Sequence, residues 1–79
     1  MDIVYSVTVF DLPTGKSGKV VKMDITGPAA ARLKALGLRE GVEVRVLAFS
    51  LFKSGVLLGF GAVRLGMRKA LARKIEVAA

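Results

Sequence analysis

The stretch PAAARLKALGLREG, residues 28–41, runs directly into the alternating VEVRV of residues 42–46, and its reading decides the fold. Pro28 suits the first helical position, where its missing N–H has no partner to lose, and Thr26 or Gly27 before it can serve as the N-cap. The residues from Ala29 to Leu36 are good helix formers, and Gly37 can take the left-handed conformation that ends a helix. Leu38 is then placed to fold back on Leu33. A helix of about nine residues does not persist alone in water, so Leu33 and Leu36 are expected to be held by packing. In the strand that follows, Val42, Val44 and Val46 face in while Glu43 and Arg45 face out. The helix therefore packs on sheet.

Toward the N-terminus, residues 3–10 are rich in valine, threonine and aromatics and read as a strand with Ile3, Tyr5, Val7 and Val9 on one side and Leu12 plugging its end. Turn signals at Pro13-Thr14-Gly15 and Ser17-Gly18 flank a basic loop. In the second strand Val21, Met23 and Ile25 form the buried face, alternating with Val20, Lys22 and Asp24. Toward the C-terminus, residues 56–60 read as a strand, with Gly59 and Gly61 marking a bend or tight turn. Val63, Leu65 and Met67 give the next strand, residues 68–74 a single helical turn or loop, and Ile75 and Val77 a short closing strand. The expected fold is mainly β: a small SH3-like antiparallel barrel of five to six strands with one short helix. Closure would remove the exposed edges of so small a sheet. The whole of residues 1–79 is read as a single domain.

At 79 residues with 53% apolar side chains, the chain has enough material for one core. The absence of cysteine excludes a disulfide framework and thiolate metal sites, and favours a cytoplasmic location. The longest uncharged run, residues 54–63, is about half of the ~20 residues a spanning helix needs, and the N-terminus lacks the basic start of a signal peptide. Thirteen basic against six acidic residues give a formal charge of +7. That charge fits nucleic acid, an anionic membrane surface or an acidic protein partner.

Catalysis is poorly provided for. Without histidine or cysteine the chain lacks the commonest general base and the most nucleophilic side chain, and its six carboxylates are scattered with no tight pair. No catalytic, cofactor-binding or metal-binding residue is assigned, and an enzyme is not expected. Gly15-Lys16-Ser17-Gly18-Lys19 looks superficially like a phosphate loop, but the glycine spacing is wrong and a strand, not a helix, follows. The lysines and arginines are spread along the chain, including the cluster Arg64, Arg68, Lys69, Arg73 and Lys74, with few aromatics between them to stack on bases. A nucleic-acid-binding barrel is thus the disfavoured alternative. Phe49, Leu51, Phe52, Leu57 and Leu58 are more than so small a barrel easily buries beside its valines, and they either close its open end or leave an exposed patch. With Lys53 beside them, they are the candidate partner-binding surface.

Three segments carry a resemblance. They are Leu12-Pro13-x-Gly15-x-x-Gly18-x-Val20-Val21, then Arg32-Leu33-x-x-Leu36-Gly37-Leu38-x-x-Gly41-x-x-Val44, and finally Met67-Arg68-x-x-x-Ala72-x-x-Ile75-x-Val77. Together they resemble the FeoA family, small cytoplasmic ferrous iron transport proteins, and the FeoA-like domain found at the C-terminus of some iron-dependent repressors. The middle segment is the specific one. Lys53-Ser54-Gly55-Val56 stands where the family usually carries a Gly-Pro or Asp-Pro pair, and Leu71 where an acidic residue is common. The resemblance implies an SH3-like barrel that binds the cytoplasmic region of the FeoB transporter and influences iron uptake without holding the metal, cofactor or small-molecule substrate. Self-association is compatible with this reading. A repressor module would normally follow a DNA-binding domain, and none is expected here.

Overall fold

Residues 6–78 are described by a computed structural model. The alternating segments become six antiparallel strands: β1 (Ser6–Thr8), β2 (Ser17–Met23), β3 (Glu43–Phe49), β4 (Gly55–Phe60), β5 (Val63–Arg68) and β6 (Ile75–Ala78). Helix α1 (Gly27–Leu36) joins β2 to β3, and the single turn α2 (Lys69–Ala72) joins β5 to β6. The strand order is β1-β6-β2-β3-β4-β5, in one SH3-like sheet.

The expected closure is not made: among the described residues β1 and β5 are the two edges of a curled sheet. The gap is covered instead. A 3-10 turn at Val9–Asp11 follows β1, pinned by Asp11 Oδ2, which accepts from the Thr8 amide at 3.0 Å and the Thr8 hydroxyl at 2.9 Å. Turn α2 packs against that 3-10 turn and against β4 and β5. Val9 and Ala72 are fully buried, and Leu12 nearly so. The first strand accordingly ends at Thr8 rather than at Phe10, and Ile3 and Tyr5 lie outside the described residues.

Two bulges supply the curl, since an extra residue bends and twists a strand. In β2, Val20 pairs with Val77 and Lys22 with Glu76, leaving Val21 as the extra residue. Val20 is therefore buried and Val21 exposed, the reverse of the alternation expected from sequence, and the bulge restores the phase so that Met23 turns back inward. In β3 the register slips at Leu47. Val44 and Val46 are buried as expected, while Val42 is half-buried in the preceding turn. Gly61 sits at the β4–β5 turn with φ 56°, whereas Gly59 lies within β4. There a Cβ would come 3.1 Å from the Leu47 side chain.

Helix α1 ends as its sequence requires. Gly37 adopts φ 100°, its amide donates to the Lys34 carbonyl at 3.0 Å, and the Leu38 amide donates to the Leu33 carbonyl at 2.9 Å. This pair of bonds satisfies the last free carbonyls and folds Leu38 inward onto the core with Leu33. Leu36 is left 38% exposed, a correction to its expected burial: Leu38, arriving from beyond the helix, joins Leu33 in the core. Leu33→Ala should therefore cost about 2–5 kcal/mol in urea unfolding, and Leu36→Ala less than about 1 kcal/mol. Equal losses would show that Leu36 is packed.

Candidate functional site

The β3–β4 connection is a stiff loop with apolar side chains at its end. The Ser50 amide donates to the Gly55 carbonyl at 3.0 Å, the Gly55 amide donates to Ser50 Oγ at 2.7 Å, and the Lys53 amide donates to the Ser50 carbonyl at 2.8 Å. Ser50 Oγ also lies 2.9 Å from Ser54 Oγ, and the Ser54 carbonyl accepts from the Lys69 amide at 2.9 Å. Residues 51–53 form a 3-10 turn in which Phe52 has φ 63° and Lys53 φ 53°. Non-glycine residues in this left-handed region cost about 1–2 kcal/mol each, so the surrounding hydrogen bonds hold the loop in a conformation its residues disfavour.

That conformation turns Leu51 and Phe52 outward, 80% and 92% exposed. Behind them Phe49 is half-buried, its ring edge-on to Phe10 at 5.4 Å and 86°. Lys53 Nζ lies 4.9 Å from the centre of the Phe49 ring, and Lys69 Nζ 5.4 Å from that of Phe10. Each ammonium sits over a π face, an arrangement that fixes the basic rim beside the apolar tip. A shallow, mostly apolar hollow of about 350 Å³ opens beside it, bordered by Ala48, Phe49, Gly55, Leu57 and Gly66.

Five of the six residues expected at the partner surface thus lie on or around this tip: Phe49, Leu51, Phe52, Lys53 and Leu57, the last facing outward on β4 at 37% exposure. Leu58 does not. It is completely buried, because Val56, Leu58 and Phe60 share the inner face of β4 and only Leu57 between them points out. The alternation of that strand carried the signal. Sequence reading also missed Phe10 and Lys69, which come to the site from elements far away in the chain and have no local signature.

The aromatics offer no row for stacking bases: Phe60 is buried, Phe10 and Phe49 pack on each other, and Phe52 is the exposed ring among the described residues. The stretch 15–19 leaves a turn at Thr14 and Gly15 and is already strand β2 from Ser17 on. The Gly15 amide donates to the Val46 carbonyl at 2.7 Å and the Lys16 amide to the Pro13 carbonyl at 3.1 Å. The loop amides are thereby committed to the sheet rather than to a phosphate. Among the described residues no three Asp or Glu side chains gather as a metal cluster, and no helix is long and apolar enough to cross a membrane.

Comparison with known proteins agrees with the architecture. Among curated proteins no match to this sequence is found. Among solved structures, the chain is similar to the FeoA protein of Chlorobium tepidum, with a TM-score of 0.83 and 24% identity over 90% of this chain and 69% of that one. It is similar to Stenotrophomonas maltophilia FeoA in complex with zinc, an SH3-domain protein, with a TM-score of 0.74 and 30% identity over 89% of this chain and 87% of that one. A manganese-dependent transcriptional repressor shares the fold at a TM-score of 0.82 and 18% identity. All of this chain corresponds to 44% of the repressor's length. The family model of the FeoA domain matches residues 7–79. With that match running through every element described above, the chain belongs to the FeoA domain family, which ties it to ferrous iron transport.

Proposed function

We propose that this protein is a cytoplasmic, non-enzymatic accessory of ferrous iron transport that docks on the cytoplasmic region of a FeoB-type transporter through the β3–β4 tip. The observation that carries the reading is the outward, hydrogen-bonded presentation of Leu51 and Phe52 beside Lys53. Two adjacent, almost fully exposed apolar side chains on a braced loop are costly to keep in water. Each would return about 1.5–3 kcal/mol on burial in a partner's pocket. A braced loop also loses little freedom on docking, so more of that gain is realised as affinity. Iron is then the transporter's cargo, and the accessory acts on the transporter rather than on the ion.

The test is a calorimetric titration of the protein into the isolated cytoplasmic region of a FeoB-type transporter, with and without guanine nucleotide, and with duplex RNA as control. Saturable binding to the transporter region is expected, with little response to RNA. Binding to RNA alone, falling steeply with salt as phosphates are neutralised, would overturn the proposal. The likeness to the manganese-dependent repressor favours a second reading, a regulatory module of a larger repressor. It predicts docking to a metal-dependent DNA-binding domain and none to the transporter.

A further inference from the structure

Strand β5 is an edge with unusual chemistry. Among the described residues it pairs only with β4, Phe60 lying opposite Val63, Leu58 opposite Leu65 and Val56 opposite Met67. The Lys69 amide donates to the Ser54 carbonyl, which fixes the phase of the ladder. In an antiparallel pair every second residue turns both its N–H and C=O toward the partner. Residues 63, 65, 67 and 69 therefore bond to β4 and its loop, and Arg64, Gly66 and Arg68 aim their amides at the open side. The side chains of these same residues are on the solvent face, while Val63 and Leu65 are half-buried on the inner face.

Gly66 is the second observation. Its φ is not in the left-handed region, and a Cβ placed on it would meet nothing within 4 Å. The fold does not need glycine there, although glycine inside a strand costs about 0.5–1 kcal/mol relative to alanine. Such a glycine marks a place where another backbone or ligand comes close. Across the sheet, Arg64 faces Gly59 and then Arg45, and the Leu47 side chain fills the space over Gly59, where a Cβ would come 3.1 Å from it.

We propose that the free edge of β5 is a strand-addition site for an extended partner segment in which acidic and apolar residues alternate. The acidic side chains lie on the solvent face beside Arg64 and Arg68, and the apolar ones cover Val63 and Leu65. Charge complementarity selects this occupant. A second copy adding symmetrically about Gly66 would set Arg64 opposite Arg68 twice, and like charges directly opposite are unfavourable. This edge adjoins the β3–β4 tip, Gly66 bordering the hollow beside it, but its backbone groups are distinct from the tip side chains and the proposal does not rest on the docking reading.

The probe is a capped peptide of about six residues alternating glutamate and valine, long enough to span the edge at ~3.4 Å per residue. It is titrated into the intact protein at low salt and followed by amide chemical shifts. Saturable binding is expected, with the largest shifts at the Arg64, Gly66 and Arg68 amides. Gly66→Pro, which removes the outward N–H and keeps every charge, should weaken binding at least about tenfold, and so should Arg64→Glu with Arg68→Glu. A peptide N-methylated on the amides that face β5 should fail equally, a control independent of how Gly66→Pro folds. Unchanged binding of the N-methylated peptide would reduce the effect to charge attraction and overturn the proposal. So would absence of binding at low salt, which would leave the arginines as guards against aggregation.

Discussion

Phe52→Asp should lower affinity for the transporter's cytoplasmic region by roughly a hundredfold or more, while unfolding free energy changes by less than about 0.5 kcal/mol. The separation follows from where Phe52 sits. At 92% exposure its ring contributes almost nothing to the core, so replacing it removes little packing. Its backbone, at φ 63°, is in a region aspartate adopts more readily than phenylalanine. Folding is therefore unharmed, whereas the docked state loses an aromatic anchor and acquires a charge in an apolar pocket. Titration calorimetry beside a urea melt of the same variant checks both halves. Full affinity in the aspartate variant would remove the tip from the interface, and loss of folding would place Phe52 in the core.

Leu58→Ala should do the opposite, destabilising the fold by about 2–5 kcal/mol, because its buried methyl groups are removed and the sheet cannot collapse onto the void. In a domain of this size each kcal/mol moves the melting temperature by about 4–8 °C, so a drop of at least about 8 °C is expected. Leu57→Ala, one residue away but facing outward, should cost less than about 1 kcal/mol. The contrast between neighbours is the informative result. Similar losses for both would mean that β4 is covered on its outer face as well.

What the sequence made legible was local. The α1 boundary, its Gly37 stop and the inward Val44 and Val46 depend on residues within one or two turns of each other, and all are present in the structure. The errors came where distant chain intervened. Val20 and Val21 exchange roles because a bulge against Glu76 and Val77 shifts the phase, and nothing within β2 announces that partner. The exposure of Leu36, by contrast, is a local miss: the turn at Gly37 brings Leu38 onto the core beside Leu33 and leaves Leu36 outside. Closure was inferred from the need to hide edges, but among the described residues the edges are managed by the arginines on β5 and the cover of α2. At the tip, hydrophobicity alone marked Leu51 and Phe52, while the buried Leu58 was grouped with them by proximity in the chain.

The position of β6 has a kinetic consequence. It lies between β1 and β2, with Ser6 opposite Ala78 and Val20 opposite Val77, so the last described strand completes the pairing of the first two. Until β6 docks, β1 lacks the partner it has in the structure and β2 lacks one neighbour, whereas β3, β4 and β5 can form as a meander on their own. Joining such distant segments incurs loop-closure entropy before any contact rewards it, and this slows folding. The folding chain therefore passes through states in which the β1–β6 and β6–β2 pairings are unmade and the apolar side chains of β1 and β2 are exposed. Its surplus of positive charge, by repelling other copies, helps keep it from aggregating until β6 docks.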